Sequence, residues 1–307
     1  MLRGAIYGLT AAAIWGGLYV VSDIVLETIP PFTLLTIRLL LGSLVLVGII
    51  RRRPNLRFPR GRDLLRSVMV GVLGFGISVG AQFVGTDWSN AVNGALVTSA
   101  SPVFILLFAS LILRERLTTQ RIAAVLLATV GVAIIIDPAQ ADFGAEAFRG
   151  NLALALAALT WGLYSVLVRR ISTDGEAVDT LVVTLAAFGG GLLLTVPAAV
   201  IELSRSPVGE ITVGIVLGVL YLGVIAMAGA MWLWNRAFAL VEASTASLFF
   251  FAQPIVGAML AVLIGQAITP NLIVGGIVIG AGVLLSLVRL RPLQPVNAPL
   301  DSEVTDG

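Results

Sequence analysis

Ten long apolar stretches occupy almost the whole chain, and they constrain its fold more than any other feature. A helix that crosses a lipid bilayer needs about 20 consecutive, mostly apolar residues. Stretches of this kind occur at 4–22, 32–50, 64–84, 92–112, 120–137, 150–168, 178–201, 212–235, 243–264 and 272–290. We therefore predict an all-α membrane protein with ten transmembrane helices.

Three residue types that carry much of enzyme chemistry are absent from the sequence. There is no Cys and no His, and all 19 basic residues are Arg. Thiolate and imidazole metal ligands are thus missing, as is a lysine that could form a Schiff base. With 58% hydrophobic and 12% charged residues, the composition also argues against a water-soluble globule or a nucleic-acid-binding protein. We expect no enzyme activity, no metal and no cofactor.

The arginines collect in alternate connections between the apolar stretches. All of them except Arg38, Arg149 and Arg205 fall on one side, and the opposite connections carry mostly Asp and Glu. Cytoplasmic loops of membrane proteins are enriched in basic residues. This predicts a multi-pass protein of the bacterial inner (plasma) membrane with cytoplasmic N- and C-termini. We expect segment 292–307, which contains Pro and acidic residues, to be a disordered cytoplasmic tail.

Two patterns occur once in each half of the chain. Trp15-Gly16-Gly17-Leu18-Tyr19 resembles Trp161-Gly162-Leu163-Tyr164, and Ala91, Leu96, Ala100 and Pro102 match Ala243, Leu248, Ala252 and Pro254 at a constant spacing. Each half then holds five spans. Because five is odd, the second copy enters the membrane upside down, as in transporters with inverted repeats. We predict one repeat at 1–140 and an inverted copy at 150–290.

These features together resemble the drug/metabolite transporter superfamily, and more closely its EamA-type branch of amino-acid and metabolite exporters. Arg38 in the second span and the sequence Arg114-Glu115-Arg116-Leu117 after the fourth also match. The chain departs from the family at Gly265-Gln266, where Gly-Glu is usual. The resemblance implies a central cavity lined by spans one, three, four, six, eight and nine. It also implies that spans five and ten pack at one side, and aromatic-amino-acid exporters are the nearest members.

The matched prolines are the sharpest candidates for a functional site. Proline within a helix removes one N–H and displaces the carbonyl four residues earlier. For Pro102 and Pro254 these carbonyls belong to Thr98 and Phe250. In hydrocarbon a displaced carbonyl must find a donor or line a wet cavity. The pair therefore predicts acceptors for a substrate, and the alternative is a kink that serves packing.

Other candidate substrate-binding residues are aromatic or neutral polar. They are Trp15, Tyr19, Trp161, Tyr164, Gln82, Asn93 and Gln253. The two tryptophans fall near mid-span, where they either pack in the core or form walls for a flat apolar substrate. Gln and Asn are costlier in a bilayer than small hydroxyls, so we expect them to face a cavity. By contrast, Trp232, Trp234 and Asn235 are expected at an interfacial belt.

Arg38 and the glycines of the last span each allow two interpretations. A cation inside the membrane costs about 2.5–3.5 kcal/mol at the centre. Arg38 therefore either binds a substrate carboxylate or serves a structural role, by holding a neighbouring helix or snorkelling outward. Gly276 and Gly280 have the small-xxx-small spacing of a helix contact.

The pattern as a whole favours an exporter of a small amphipathic metabolite, most of all an amino acid, by alternating access. Its partners would be the small-molecule substrate and the lipid bilayer, with no nucleic acid, and it would act as a monomer or weak homodimer. One alternative is a nucleotide-sugar or drug carrier of the same superfamily. An alternative from another class is a membrane-embedded lipid-handling enzyme, and a structural scaffold is a third. Since no carboxylate falls clearly at mid-span, we predict facilitated transport rather than proton coupling.

Overall fold

The computed structural model describes residues 2–53, 56–89, 94, 97–136, 139, 144, 147–173, 178–263 and 270–287. These residues contain helices and no strand, which confirms the predicted all-α class. Their helices fall into ten stretches of the chain, α1 to α10. The predicted tail at 292–307 and Asn93 lie outside the described residues, as does the side chain of Tyr19.

Seven of the described stretches are single α-helices. They are α1 (Leu2–Leu26), α2 (Pro31–Arg51), α4 (Ser101–Leu113), α5 (Thr119–Ile136), α6 (Phe148–Thr173), α7 (Thr180–Leu203) and α10 (Pro270–Leu287).

The other three stretches change helix type along their length. In α3 (residues 62–88), the π-helical segment Val72–Ser78 joins two α-helical parts. In α8 (Val213–Leu240), the π-helical segment is Tyr221–Gly229. In α9 (residues 243–263), a single α-turn leads into the 3₁₀ segment Ser247–Phe251, and the α-helix resumes at Ala252–Leu263. The two π-helical segments therefore occupy matching helices of the two halves.

Several of these helices are suited to a bilayer. Among the described residues, five are both long and apolar enough to cross a membrane: Pro31–Arg51, Arg62–Thr86, Phe148–Thr173, Thr180–Leu203 and Val213–Leu240. Shorter apolar helices accompany them at Ser101–Leu113, Thr119–Ile135, Ala243–Gly257 and Ile273–Leu285. The chain is thus a multi-pass membrane protein, and the number of ten crossings stays a prediction.

The helices begin and end at residues whose chemistry suits those positions. Pro31 opens α2, at the position where a missing N–H costs nothing. Asp179 caps α7 by accepting a hydrogen bond from the N–H of Leu181 at 2.9 Å. At the end of α4, Arg114 adopts the left-handed conformation with φ 57°. The next N–H, of Glu115, then donates back to a carbonyl of α4, which turns the chain sharply there.

The packing of the helices repeats when the two halves are exchanged. Helix α1 packs on α8 and α9, and α6 packs on α3 and α4 in the same manner. Helix α2 packs on α7 and α8, while α7 packs on α2 and α3. Helices α5 and α10 pack chiefly on each other. Exchanging α1–α5 with α6–α10 therefore reproduces the same pairs, as expected for two inverted repeats.

Glycine lets α5 and α10 approach closely, although not through the residues that the sequence indicated. A Cβ on Gly131 would lie 2.8 Å from the carbonyl oxygen of Gly275, and one on Gly282 would lie 2.8 Å from a backbone oxygen of α5. A Cβ on Gly276 or Gly280 would meet no atom of the described residues within 4 Å. The prediction of a contact through Gly276 and Gly280 is wrong, because the face toward α5 starts one residue earlier.

Candidate functional site

A narrow cavity of about 90 Å³ lies between the two halves. Its wall includes Trp15, Arg38, Phe75, Ser78, Gln82, Phe83, Thr98, Ser101, Ala157, Trp161, Ala226, Met227, Phe250 and Gln253. These residues come from α1, α2, α3, α6, α8 and α9, together with α4 and the segment leading into it. The lining thus contains the six helices that the resemblance implied, and Arg38 adds α2 to them.

The cavity brings together seven of the residues predicted from the sequence. Trp15, Arg38, Gln82, Thr98, Trp161, Phe250 and Gln253 all line it. Pro102 and Pro254 are absent from the lining and lie close by in the chain, each at the start of an α-helical segment. Tyr164 is fully buried behind the wall.

Aromatic rings build one wall of the cavity from both halves. The rings of Trp15 and Trp161 are 6.1 Å apart and edge-to-face, and Trp161 stacks on Tyr164 at 5.0 Å. Trp15 also lies 5.2 Å from Trp234, which is fully buried and does not line the cavity. Contacts of this geometry contribute about 0.5–1.5 kcal/mol each beyond the burial of their area. The wall is therefore a packed aromatic layer with one face toward the cavity.

A buried hydrogen-bond chain supports this aromatic wall. The Tyr164 hydroxyl donates to Asn235 Oδ1 at 3.2 Å, and Asn235 Nδ2 donates to Thr184 Oγ1 at 2.8 Å. All three residues are buried. The interfacial-belt interpretation is therefore wrong for Asn235, and also for Trp234, which is fully buried. Sequence reasoning missed this network because its members lie far apart in the chain.

The π-helical segments both contribute to the cavity and are tied to the opposite half. Ser78, the last residue of the first segment, donates from Oγ to the carbonyl of Ala157 in α6 at 2.8 Å. Trp15 donates from its indole N–H to the carbonyl of Ala226 in the second segment at 3.0 Å. Such segments interrupt the regular helical ladder and frequently occur at functional sites. Here each segment supplies lining residues and a hydrogen bond that ties its helix to the opposite half.

The carbonyl freed by the first proline already has a protein donor. Ser101 Oγ donates to the Thr98 carbonyl at 2.7 Å, and Thr98 Oγ1 donates to the carbonyl of Gly94 at 2.6 Å. Pro102 is the second residue of α4, a position where proline is well tolerated. The prolines therefore mark places where a helix restarts, and only the second lone pair of the Thr98 carbonyl remains for a substrate.

Three buried side-chain nitrogens that line the cavity have no hydrogen-bond partner among the described residues. They are Nε of Arg38, Nε1 of Trp161 and Nε2 of Gln253. Buried polar groups are nearly always satisfied, so each exception needs an explanation. All three are donors, and all three line the same cavity. They therefore call for one shared explanation.

The acidic side chains that the structure describes lie away from the cavity. No Asp or Glu occurs among its described lining residues. Glu115 instead caps the start of α9, accepting from the N–H groups of Ala243 and Ser244 at 2.8 and 3.0 Å, and pairs with Arg169 at 3.2 Å. At the opposite end, Glu202 accepts from the Thr33 N–H at the start of α2, at 2.7 Å. Each carboxylate thus joins the two halves beyond one end of the cavity.

The fold and the cavity define the class of this protein as a multi-pass membrane transporter built from two related halves. The model of the EamA-like transporter family matches the chain twice, at residues 2–137 and 148–288. The chain belongs to this family, which confirms the family resemblance seen in the sequence.

Several curated proteins are similar to the chain over most of their length. The uncharacterized transporter YyaM of Bacillus subtilis is 26% identical over 73% of this chain and 73% of its own. The uncharacterized inner membrane transporter YedA of Escherichia coli is 25% identical over 97% and 95%. A probable biotin transporter of Pseudomonas aeruginosa is 30% identical over 86% and 90%. A solved crystal structure shares the fold with a TM-score of 0.79 at 23% identity, covering 92% of this chain and 96% of that one.

Proposed function

We propose that the chain exports a small amphipathic metabolite by alternating access through the cavity, with aromatic or other neutral amino acids as substrates. The observation that carries this proposal is a cavity between two repeated halves, with a wall of indole rings, amides and apolar side chains from both. Such a mixture suits a molecule with one polar end and one apolar end. Rocking of one half against the other would expose the cavity to each side in turn.

In this proposal, the predicted site residues contact different parts of the substrate. Trp15 and Trp161 hold the apolar part of the substrate, and Gln82 and Gln253 hydrogen-bond its polar part. Tyr164 supports Trp161 from behind. Tyr19 and Asn93 stay predictions from the repeat and from residue type.

The two helix restarts supply the flexible points for this motion. Pro102 and Pro254 prevent an unbroken helix beside Thr98 and Phe250, so each half has one joint next to the cavity. We propose that these joints bend as the cavity changes sides.

The proposed setting is the bacterial inner membrane with both termini in the cytoplasm. The distribution of arginine between alternate connections supports this orientation. The inner-membrane name of YedA supports the location. A monomer or weak homodimer is the proposed state.

A second candidate substrate class comes from one relative. The probable biotin transporter of Pseudomonas aeruginosa is 30% identical to the chain, and biotin also combines a ring system with a polar end. A vitamin carrier of this kind would use the same cavity. The nucleotide-sugar and drug carriers stay weaker alternatives within the superfamily.

Transport by purified protein in sealed proteoliposomes tests the proposal. A panel of radiolabelled amino acids and biotin would be offered to the wild type and to two neighbouring variants in α6. Ala157→Phe fills the cavity, whereas Leu156→Phe enlarges a side chain that is 45% exposed on the outer face. We expect uptake by the wild type and by Leu156→Phe, and loss of uptake in Ala157→Phe. Absence of uptake of every compound, or full uptake by Ala157→Phe, would contradict it.

A further inference from the structure

The polar groups that the protein leaves unsatisfied around the cavity all have the same character. Arg38 Nε, Trp161 Nε1 and Gln253 Nε2 are donors, and each lines the cavity without an acceptor among the described residues. Other donors on the same wall are engaged, since Trp15 and Ser78 both donate to backbone carbonyls. The buried lining atoms that lack a partner are therefore all donors, and a ligand that satisfies them must supply acceptors.

One of these unpaired donors, Arg38, also carries a positive charge. Its side chain belongs to α2, the residue is only 4% exposed, and its guanidinium makes no hydrogen bond or ion pair with any residue that the structure describes. Buried charges in proteins are normally paired. A structural role would require a carbonyl or carboxylate partner from a neighbouring helix, and the described part of the chain offers none. An outward, snorkelling orientation is also inconsistent with its place on the cavity wall.

From this geometry we infer that the transported molecule carries a carboxylate, and that Arg38 is the residue that binds it. The inference rests on the proposed function, because it takes the cavity as the transport path. The guanidinium is planar and presents paired N–H donors that match the two oxygens of a carboxylate. Trp161 and Gln253 donate to the same group or to a second acceptor on the substrate, and the apolar remainder lies against Trp15 and Phe83.

The number of charges narrows the substrate class further. Arg38 is the only charged residue among the described cavity-lining residues, so it balances one negative charge. A monocarboxylate meets that condition, with or without an amino group. A nucleotide sugar, which carries a diphosphate, would bring more negative charge than one guanidinium offsets. The same lining contains no carboxylate to bind an ammonium group, so the amine contributes less to binding than the carboxylate does.

Matched compounds that differ only at the charged groups test the inference. The probes are phenylalanine, its deaminated acid hydrocinnamate and its decarboxylated amine phenethylamine, with corresponding sets from leucine and tryptophan, and biotin with its alcohol, biotinol. Binding to the purified wild type would be measured as a rise in melting temperature with ligand concentration, and transport in proteoliposomes. We expect that at least one acid binds and is transported, and that its partner without a carboxylate is not.

The variants at Arg38 separate a binding role from a structural one. Arg38→Met should weaken binding of the carboxylates by about 10- to 100-fold, since it removes charge-assisted hydrogen bonds. The carboxylate affinity of Arg38→Lys should lie between those of the wild type and Arg38→Met. Lysine keeps the positive charge but lacks the paired N–H donors of the guanidinium. Without ligand, Arg38→Met should melt at or above the wild-type temperature, because an unpaired buried charge is replaced by an apolar chain. A structural arginine would give the opposite shift.

A second pair of variants has a matched internal control. Trp161 and Trp234 both have an indole N–H without a partner among the described residues, and of the two only Trp161 lines the cavity. Trp161→Phe should reduce carboxylate binding several-fold, and Trp234→Phe should leave it within about twofold. Equal effects of the two changes would contradict the assignment of Trp161 as a donor to the substrate.

Several results would overturn the inference without touching the proposed function. If the wild type transports panel compounds and those without a carboxylate bind as well as the acids, the protein is a carrier but Arg38 is not the carboxylate site. Unchanged binding of the acids by Arg38→Met would likewise show that Arg38 is not the carboxylate site. Failure of every acid to bind the wild type is different, because it would overturn the inference and the proposed function together. If acids bind through Arg38 but nothing crosses the membrane, the proposed function fails and the carboxylate site stands.

Discussion

At the scale of single residues, Trp15 joins the wall of the cavity to the irregular backbone of α8. Its ring contacts those of Trp161 and Trp234, and its N–H donates to the Ala226 carbonyl at 3.0 Å. That carbonyl lies in the π-helical segment Tyr221–Gly229, where the regular hydrogen-bond ladder is interrupted. One side chain thus shapes the wall and satisfies a buried acceptor 211 residues away.

We predict that Trp15→Phe lowers the free energy of unfolding by about 1–3 kcal/mol, because it leaves the buried Ala226 carbonyl unpaired. Unfolding in detergent micelles, followed by circular dichroism, would measure the change. Trp88→Phe is the control, since Trp88 is 56% exposed at the end of α3. Equal stability losses in the two variants would show that the hydrogen bond to Ala226 contributes little.

The sequence predicted some of the residues that line or support the cavity and could not predict others. Trp15 and Trp161 were found because the repeat places them at corresponding positions, and the structure brings their rings together. Asn235 was missed because its partners Tyr164 and Thr184 lie 71 and 51 residues away, with no local pattern to indicate them. The sequence also could not show that Arg38 Nε has no partner among the described residues, since this depends on the groups that every neighbouring helix presents.

At the scale of helices, glycines set the contact between α3 and α7. A Cβ on Gly190 would lie 2.0 Å from the carbonyl oxygen of Val68, and one on Gly71 would lie 1.9 Å from that of Ala187. The two backbones therefore touch without intervening side chains. Gly189 differs, because it is exposed and its added Cβ would meet nothing within 4 Å. Adjacent glycines thus serve different purposes in one helix.

We predict that Gly190→Ala destabilises the protein by about 1–3 kcal/mol, because the new methyl group would push apart two helix backbones. Gly189→Ala should be neutral or stabilise by about 0.5–1 kcal/mol, since alanine restricts the unfolded chain more than glycine does. Melting temperatures of the two purified variants would decide the matter. A harmless Gly190→Ala would mean that α3 and α7 can separate freely.

Carboxylates hold helix ends together across the two halves. Glu115 accepts from the N–H groups of Ala243 and Ser244 and from the Ser244 hydroxyl, and its side chain is 8% exposed where it pairs with Arg169. A negative charge at a helix N-terminus also interacts favourably with the helix dipole. Glu115 belongs to the first half and α9 to the second, so this contact closes one end of the molecule.

We predict that Glu115→Gln lowers stability by about 2 kcal/mol, because an amide has only one oxygen for the donors and removes the negative charge that pairs with Arg169. Glu242→Gln, at the same helix end, should cost less than about 1 kcal/mol, since Glu242 forms a more exposed ion pair with Arg121. Thermal unfolding of both variants under identical conditions gives the comparison. A larger loss of stability in Glu242→Gln than in Glu115→Gln would contradict the assignment of Glu115 as the buried cap of α9.

The apolar pattern predicted the helices better than their internal geometry. It placed the eighth stretch at 212–235, whereas α8 continues to Leu240. Trp234 and Asn235 therefore lie within the helix, and both are buried in the core instead of at the expected interface. The π-helical segments were not predicted, because an apolar run satisfies α- and π-helical backbones equally. Their positions depend on contacts such as those of Trp15 and Ser78 with the opposite half.

At the scale of the whole molecule, the contacts at the two ends of α2 and α7 identify two opposite ends of the protein. Glu202 near the end of α7 binds the N–H groups at the start of α2. Asp179 at the start of α7 donates its N–H to the carbonyl of Arg57 beyond the end of α2. The two helices are therefore antiparallel neighbours, and α2 is about 30 Å long by its residue count. Arg57 and Ser206 consequently lie at opposite ends of the molecule.

This arrangement gives a test of orientation in a chain without native cysteine. We predict that a cysteine at Ser206 reacts with a membrane-impermeant maleimide in intact cells, and that one at Arg57 reacts only after permeabilisation. Both positions are exposed, and the basic segment around Arg57 is expected in the cytoplasm. The cysteine-free parent controls for background. Labelling of both positions from one side would overturn the orientation and the inverted repeat.

The distribution of charge over the whole molecule also bears on the energy source. Proton-coupled carriers usually need a titratable group that meets the cavity at depth. The described lining contains none that would exchange a proton near neutral pH, because its only charged group is a guanidinium. Glu115 and Glu202 are held in caps at the two ends. Among the described residues, the cavity therefore offers no carboxylate through which a proton gradient could drive the substrate.

We accordingly predict facilitated transport down the substrate gradient, with an imposed pH gradient changing the initial rate by less than about twofold in proteoliposomes. Protein-free liposomes control for passage of the protonated acid through the lipid, which a pH gradient would also alter. A strong stimulation that persists after this correction would contradict the prediction. If Glu115→Gln abolished that stimulation while the substrate still bound, the cap at α9 would be a proton site that opens during the cycle. If Glu202→Gln did so instead, the opposite end would carry that role.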